Sequence, residues 1–133
     1  MPLLLDTHVW IWTQAEPERL GKRAKDRVLD TEESLYVSTA STIELARLAH
    51  AGRLRLRPST SEWIADSLTL LRGATVEVSH EIAVGAYDLP GSFHRDPVDR
   101  LLVSTARTHG LDILTADERV LAYAHVRSVD ARR

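Results

Sequence analysis

The chain has 133 residues, of which 44% are hydrophobic and 27% charged, a composition typical of a soluble protein with one hydrophobic core. It contains no cysteine, which excludes both a disulfide framework and a thiolate metal site. Its 17 basic and 19 acidic residues give a net charge of −2, which argues against nucleic-acid binding through bulk positive charge. No apolar run reaches the ~18 residues of a membrane span and no signal-peptide pattern opens the chain, so we expect a cytoplasmic location.

Short apolar or alternating segments, beginning with PLLLD and SLYVS, predict five β-strands. These strands cover residues 2–6, 34–38, 75–79, 112–117 and 126–130. Segments with helical spacing lie between them, and several end at a glycine. They cover residues 8–15, 17–29, 42–51, 61–71, 80–87, 97–109 and 118–123. Strands that alternate with helices predict an α/β fold, with a mostly parallel central sheet flanked by helices on both faces.

Four acidic residues lie near the points where predicted strands end and helices begin. Asp6 ends the first strand and Asp117 follows the fourth, while Glu44 and Asp99 lie in the first turns of their predicted helices. In an open parallel sheet, ligands bind beyond the carboxyl ends of the strands. We therefore expect these four acids, which are remote in sequence, to converge on one rim of the sheet.

Helix capping is an alternative explanation for the acids at helix starts. STIE, DPVD and TADE each have the form of a capping box, with Ser41, Asp96 and Thr115 as the respective N-caps. A cap or a favourable helix-dipole interaction contributes about 1 kcal/mol, which is enough to explain any one of these acids. On this interpretation the chain is a non-catalytic α/β interaction module.

Helical geometry separates Asp96 from Asp99. At about 100° per residue, Asp99 projects between Leu102 and Val103, inside the apolar sector of its helix. The polar face of the same helix consists of Arg100, Ser104 and Arg107. A buried charge requires a counter-charge or a metal, whereas a residue before the first turn is well explained as an N-cap. Asp99 is therefore predicted to bind a ligand and Asp96 to cap the helix.

The predicted cluster of carboxylates suits a hard divalent cation. The chain offers no cysteine and no closely spaced pair of histidines, and oxygen ligands alone favour Mg²⁺ or Mn²⁺. Such an ion can activate a water molecule and stabilise the charge of a phosphodiester undergoing in-line displacement. The pattern is therefore typical of phosphoryl chemistry.

Four stretches of the chain, in this order, resemble PIN-domain ribonucleases, and in particular the VapC-type toxins of type II toxin–antitoxin pairs. The stretches are LLLDTHVWIW, STASTIELARLAHAGRL, HRDPVDRLLVSTA and ILTADERV, and together they span nearly the whole chain. The resemblance implies one PIN domain over residues 1–133 and a Mg²⁺- or Mn²⁺-dependent endoribonuclease that hydrolyses RNA with metal-activated water. It also implies a cognate VapB-like antitoxin and a homodimer.

Carried over position by position, the resemblance implies that the catalytic and metal-binding set is Asp6, Glu44, Asp99 and Asp117. Asp6 and Asp99 resemble the principal metal-holding pair, and the other two acids would complete the site directly or through water. Thr7 and Thr115 resemble the small hydroxyl residues next to the first and fourth acids. Asp96 matches a position common in this subgroup, although capping suffices to explain it.

A basic segment, RLAHAGRLRLRP, allows two interpretations. Its four arginines are Arg47, Arg53, Arg55 and Arg57. Surface charges of this kind usually form a solvated face, and the alternative is a contact with a phosphate backbone.

Histidines and tryptophans near the predicted rim also have two interpretations each. His8 is expected to be a packed or hydrogen-bonding residue rather than a ligand. His94 and Arg95 could contact RNA or could simply be exposed loop residues. The three tryptophans are expected to pack in the core or at a subunit interface rather than stack on bases, and they are Trp10, Trp12 and Trp63.

The start of the chain lacks a residue or motif that each of two other protein classes requires. LLLDTH also resembles a phosphatase of the haloacid dehalogenase type with Asp6 as nucleophile, but that chemistry requires a second acid where His8 stands. A dinucleotide-binding fold requires a glycine-rich turn after the first strand, and DTHVW contains none.

Overall fold

A computed structural model of the chain describes residues 2–133. Its five strands are β1 Leu3–Leu5, β2 Leu35–Ser38, β3 Ala74–Val76, β4 Asp112–Thr115 and β5 Ser128–Asp130. They form one sheet in the order β3-β2-β1-β4-β5, and every neighbouring pair is parallel. The predicted α/β fold with a parallel central sheet is confirmed.

Within residues 2–133, seven α-helices connect or flank the strands. They are α1 Thr7–Ala15, α2 Lys22–Leu29, α3 Thr39–His50, α4 Thr60–Leu71, α5 His80–Gly85, α6 Pro97–His109 and α7 Glu118–Leu121. The stretch predicted as one helix over residues 17–29 is divided into a short 3₁₀ turn, Pro17–Arg19, and α2. The division falls at Gly21, where the backbone is extended and lies so close to the backbone of Arg133 that no side chain would fit.

Strand β1 lies at the centre of the sheet and is buried on both faces. Leu3, Leu4 and Leu5 are fully inaccessible to solvent. Because successive side chains of a strand point to opposite faces, Leu3 and Leu5 pack with Trp10 and Leu45 on one side, while Leu4 packs on the other side with α6 residues. The unbroken apolar run of PLLLD therefore has the environment that the sequence predicted for it.

Trp10 lies fully inside the first of these two apolar clusters. Its indole N–H donates a 2.9 Å hydrogen bond to the hydroxyl oxygen of Ser67, and the ring of Trp63 packs against it with centroids 5.5 Å apart. The core-packing interpretation is therefore confirmed for these two tryptophans. Within residues 2–133, no helix has the length and apolar character needed to cross a membrane.

Two of the three predicted N-caps are wrong. Helix α3 begins at Thr39, three residues earlier than expected, and its N-cap is Ser38. Ser41 is instead buried and accepts a 2.8 Å hydrogen bond from the hydroxyl of Thr7. Thr115 ends β4, so the N-cap of α7 is Asp117.

At the start of α6 the predicted N-cap, Asp96, is confirmed, but Asp99 does not complete a capping box, because the backbone N–H of Asp96 donates to Nδ1 of His94. The carboxylate of Asp96 accepts a 3.1 Å hydrogen bond from the backbone N–H of Asp99. The polar face of α6, however, does not face water along its whole length. Ser104 is buried and donates a 2.8 Å hydrogen bond to the carbonyl oxygen of Ile82 in α5. The guanidinium of Arg100 donates to the carbonyl of Ala86, just after the same helix.

Candidate functional site

All four predicted acids border one cavity of about 310 Å³. The residues that line it are Asp6, His8, Trp12, Glu44, Asp96, Asp99, Ala116, Asp117 and Arg119. The cavity lies at the edge of the sheet where β1 and β4 end, because Asp6 directly follows β1 and Ala116 directly follows β4. The expected convergence of acids from four distant parts of the chain is therefore present in the structure.

Asp6 occupies the N-cap position of α1 without acting as a cap. Its side chain makes no capping hydrogen bond among the residues described, and only 7% of the residue is exposed. Oδ2 accepts a 2.6 Å hydrogen bond from the hydroxyl of Thr115. Burial raises the pKa of Asp6, and this outweighs the lowering effects of the Thr115 hydrogen bond and of His8. The carboxylate is thus held in place and directed at the cavity at a cost in desolvation.

Asp99 projects from the first turn of α6 into the cavity, and its side chain is 14% exposed. Burial is the largest cause that raises the pKa of Asp99, to about 8. Electrostatic repulsion by four other carboxylates raises this pKa further; the four are Asp6, Asp96, Asp117 and Glu44. A carboxyl group that is repelled by four others is the electrostatic consequence of their convergence.

Glu44 lies in the second turn of α3 rather than the first, because the helix begins earlier than predicted. Its side chain is 14% exposed and faces the cavity. The largely exposed guanidinium of Arg47 approaches it, with Nη2 at 3.8 Å from Oε2. This long contact leaves the carboxylate available to a ligand.

Asp117 combines a structural role with its place at the cavity. Its Oδ1 accepts a 2.8 Å hydrogen bond from the backbone N–H of Arg119 at the start of α7. Its Oδ2 lies 3.1 Å from Nη2 of the same arginine. Burial acts to raise the pKa of Asp117, but the hydrogen bonds and charge of Arg119 outweigh it, and the pKa lies below its ordinary value. The charged form is therefore favoured for Asp117 and disfavoured for Asp99.

His94 also belongs to the cluster of acids, although the sequence suggested for it only an RNA contact or an exposed place in a loop. Its Nε2 lies 2.9 Å from Oδ2 of Asp99, yet among residues 2–133 this buried nitrogen has no hydrogen-bond partner with acceptable angles. Ligand atoms of His94, Asp99 and Asp117 all lie within 4.8 Å of one another. Burial lowers the pKa of His94, and Arg119 lowers it further, which favours the neutral imidazole that a metal requires. Nδ1 accepts a 3.4 Å hydrogen bond from the backbone N–H of Asp96, so the proton of the neutral ring lies on Nε2, and binding a metal through Nε2 requires that this hydrogen bond be given up. Its position in the loop that leads into Asp96 was the available signal.

The predictions for the remaining residues at the rim of the cavity have different outcomes. His8 is exposed at the cavity and its side chain makes no hydrogen bond within residues 2–133, so the expectation of a packed or hydrogen-bonding histidine is wrong. Arg95 is exposed, which agrees with the loop interpretation. Trp12 packs partly against the core and also lines the cavity, with the guanidinium of Arg19 5.0 Å from its ring centroid.

The donor set of the cavity fits a divalent cation. Carboxylate oxygens dominate it, and Nε2 of His94, which lies beside Asp99 at the edge of the cavity, adds one nitrogen. Bringing these negative charges together costs free energy, as the raised pKa of Asp99 indicates, and a bound cation removes that cost. The arrangement can therefore hold a metal ion beside an open space large enough to admit part of a substrate.

A family model described as the PIN domain matches residues 3–126. The chain therefore belongs to the PIN-domain family. Within it, the chain is 38% identical over 127 residues to Ribonuclease VapC22 of Mycobacterium tuberculosis (strain ATCC 25618 / H37Rv), with 96% of this chain and 95% of that protein covered.

Solved structures with the same fold include components of toxin–antitoxin complexes. VapBC2 from Rickettsia felis, bound to a DNA fragment from its promoter, matches with a TM-score of 0.71 at 13% identity, over 97% of this chain and 98% of that chain. DNA-bound VapBC from Salmonella typhimurium matches with a TM-score of 0.68 at 19% identity, over 98% of both chains. At these identities the likeness establishes the fold, in agreement with the parallel sheet described above.

Proposed function

We propose that this protein is a metal-dependent endoribonuclease that hydrolyses RNA phosphodiester bonds and acts as the toxin of a type II toxin–antitoxin pair. The observation that carries the proposal is the convergence of four acids on one cavity in a PIN domain. The 38% identity to a protein named Ribonuclease VapC22, over almost the full length of both chains, supports the same activity.

The proposed metal ligands are Asp6 and Asp99, with Glu44 and Asp117 completing the site directly or through water. Mg²⁺ is the proposed ion and Mn²⁺ the alternative, because oxygen ligands predominate. When bound, the ion supplies activation of a water molecule and stabilisation of the charge that develops on the phosphate. His94, whose Nε2 is unpartnered, is proposed as an additional ligand.

Three residues of the chain affect how the site would bind a metal and RNA. Thr115 orients the carboxylate of Asp6 through its 2.6 Å hydrogen bond. Asp99, with a pKa of about 8, holds a proton at neutral pH and must release it to act as a ligand. Arg119, whose side chain is 62% exposed at the rim, offers a positive charge to an incoming RNA phosphate.

A VapB-like antitoxin is the proposed partner, since the solved relatives described above are VapBC complexes. A homodimer is also proposed. Large apolar side chains on the surface offer area for such contacts, and they are Leu29, Ile43, Leu70, Val84 and Tyr87. The cytoplasmic location stays a prediction from the sequence.

The alternatives derived from the sequence have less support. A phosphatase with Asp6 as nucleophile would need an acid at the position of His8, which is exposed at the cavity. A non-catalytic module would need the acids to be caps. Asp96 and Asp117 do cap helices, but Asp6 makes no capping hydrogen bond within the described chain and Glu44 lies beyond the first turn of α3.

Cleavage of total RNA by the purified protein tests the proposal, with cleaved ends mapped by sequencing because the substrate is not specified in advance. We expect discrete ends with Mg²⁺ or Mn²⁺, and their loss in EDTA and in Asp6→Asn and Asp99→Asn. Asp66→Asn, a change of the same chemistry on the exposed surface of α4, should cleave like the wild type. Equal cleavage by Asp99→Asn, or full activity in EDTA, would contradict the proposal.

A further inference from the structure

The segment between Glu44 and Glu62 is basic, whereas the chain as a whole is slightly acidic. It contains four arginines and no acidic residue, although the whole chain has a net charge of −2. Arg47 lies in α3, close to the C-terminus of that helix, where a positive charge interacts favourably with the helix dipole. The other three arginines lie beyond the helix, so the dipole does not account for them.

These three, Arg53, Arg55 and Arg57, form an arginine ridge. Exposed arginines alternate with Leu54 and Leu56, which are partly buried against the first apolar cluster. This alternation places the three arginines on the solvent side of a segment whose two leucines are anchored in the core. Because a chain spans at most about 3.3–3.6 Å per residue, successive arginines lie no more than roughly 7 Å apart along the backbone, so all three can contact one anionic chain.

The ridge is anchored to the end of α3 by backbone hydrogen bonds. The N–H of Arg53 donates to the carbonyl of Leu48 at 2.9 Å, and the N–H of Gly52 donates to the carbonyl of Ala49 at 3.1 Å. Gly52 has a φ of +72°, which a residue with a side chain rarely adopts. This pair of bonds is a Schellman motif, and it fixes where the first arginine leaves the helix. The ridge is therefore preorganised rather than a flexible basic tail.

The charges of the ridge are not neutralised by the protein. In the part of the chain that the structure describes, none of the three arginines forms an ion pair, whereas arginines elsewhere pair with acids, as Arg127 does with Asp112 at 2.8 Å. Three neighbouring like charges repel one another, and an anionic partner would relieve that repulsion.

Helix α3 connects the ridge with the cavity that the four acids border. Glu44 lines the cavity, and Arg47 lies one turn further along the helix, 3.8 Å from its carboxylate. From Glu44 to His50 the helix rises about 9 Å at 1.5 Å per residue. Positive charge therefore begins beside the cavity and continues beyond the end of the helix along the ridge.

We infer that the arginine ridge binds consecutive phosphates of a single-stranded RNA segment that extends from the cleavage site. This inference rests on the proposed ribonuclease function and names the surface that holds the substrate outside the metal cavity. Three exposed arginines at every second position, with no acidic residue between them, suit a phosphate backbone, which carries one charge per nucleotide. An acidic polypeptide is the competing partner.

The test compares the wild type with R53Q/R55Q/R57Q, in which all three charges are removed while side-chain length is largely kept. A matched control, K22Q/R23Q/K25Q, removes three positive charges from α2. R53K/R55K/R57K retains the charge. The probe is a labelled single-stranded RNA of mixed sequence, and binding is measured in EDTA, so that cleavage does not interfere, over a range of salt concentrations.

We expect R53Q/R55Q/R57Q to bind the RNA at least about tenfold more weakly at low salt. The slope of log Kobs against log salt should become shallower by about 2, at roughly 0.7 for each phosphate contact of a single strand. The lysine variant should retain most of the slope, and the α2 control should bind like the wild type. In cleavage assays KM should rise while kcat is unchanged, because the ridge does not touch the reacting atoms.

For R53Q/R55Q/R57Q, an RNA affinity within twofold of the wild type together with an unchanged salt slope would overturn the inference. So would equal weakening by the α2 control, because net charge would then explain the effect. A poly-glutamate peptide serves as the acidic polypeptide probe, and loss of its binding with RNA binding unchanged would assign the ridge to a protein partner. Since RNA binding is measured without metal, a chain that binds RNA through the ridge but never cleaves it would refute the proposed function and not the ridge.

Discussion

The hydroxyl of Thr115 donates a 2.6 Å hydrogen bond to Oδ2 of Asp6, a residue 109 positions away in sequence. The register of the sheet produces this contact: Leu5 of β1 pairs with Leu114 of β4, so the residues that follow emerge side by side. The same hydroxyl oxygen accepts a 3.0 Å hydrogen bond from the backbone N–H of Asp117. Thr115 therefore links two of the four acids at the cavity.

Replacing Thr115 tests its role in positioning Asp6. Thr115→Val keeps the shape of the side chain and removes both hydrogen bonds, and we expect the kcat/KM of RNA cleavage and the affinity for Mn²⁺ to fall by about 10- to 100-fold. Thr115→Ser restores the hydroxyl and should recover most of both. Calorimetric titration with Mn²⁺ and thermal unfolding accompany the kinetics, and equal Mn²⁺ affinity in the valine and serine variants would exclude this role.

His94 is expected to influence which metal is bound. Imidazole nitrogen favours transition metals over Mg²⁺, so His94→Ala should weaken Mn²⁺ binding more than Mg²⁺ binding. Titration of both ions into the wild type and the variant measures the ratio of the two affinities. A ratio that does not change would remove His94 from the ligand set and leave an all-carboxylate site.

The raised pKa of Asp99 has a consequence for stability in the absence of metal. Its folded-state pKa is about 8, against an ordinary value of 3.8, so between these pH values the folded state binds more protons than the unfolded state. The free energy of unfolding therefore falls as pH rises from about 4 to about 8, and this contribution is constant above that window.

We expect Asp99→Asn to be more stable than the wild type in EDTA at pH 9, by on the order of 3 kcal/mol, because it removes a buried charge. The difference should shrink towards pH 4, where the wild-type carboxyl is protonated in both states. Urea unfolding at several pH values measures it, with the exposed Asp66→Asn as a control expected to stay within about 0.5 kcal/mol of the wild type. A destabilised Asp99→Asn at pH 9 would show that the acids do not repel one another as described.

Helices α5 and α6 approach closely at Gly85 and Ser104. A methyl group at position 85 would lie 2.7 Å from the Ser104 hydroxyl, which is held by its hydrogen bond to Ile82. We expect Gly85→Ala to cost about 1–3 kcal/mol and Ser104→Ala about 1 kcal/mol. In the double variant the clash is removed, so its total cost should be smaller than the sum. Additive costs in chemical denaturation would contradict this contact.

The sequence was sufficient to predict the five strands, the parallel sheet and the set of acids that meet at its edge. Strand β1 is the clearest case, because three consecutive leucines suit a strand buried on both faces. Asp99 is the second case, because helical spacing alone placed it in the apolar sector of α6, where its side chain is largely buried.

Other features depended on contacts that local patterns do not encode. STIE fits a capping box and so predicts Ser41 as an N-cap, but α3 begins directly after β2, and Ser41 accepts a hydrogen bond from Thr7 in a distant part of the chain. His94 belongs to the cluster because the loop before α6 brings its Nε2 to 2.9 Å from Oδ2 of Asp99. Local sequence patterns do not predict this distance.

Anomalous diffraction from crystals soaked in Mn²⁺ tests the central claim most directly. We expect a manganese peak in the cavity, about 2.0–2.3 Å from carboxylate oxygens of at least Asp6 and Asp99. Crystals of Asp99→Asn treated in the same way should lose the peak. The account would be contradicted if the wild-type crystals bound manganese only at other positions, or if no manganese peak lay within bonding distance of these acids. Either result would argue against a metal-dependent nuclease site at this edge of the sheet.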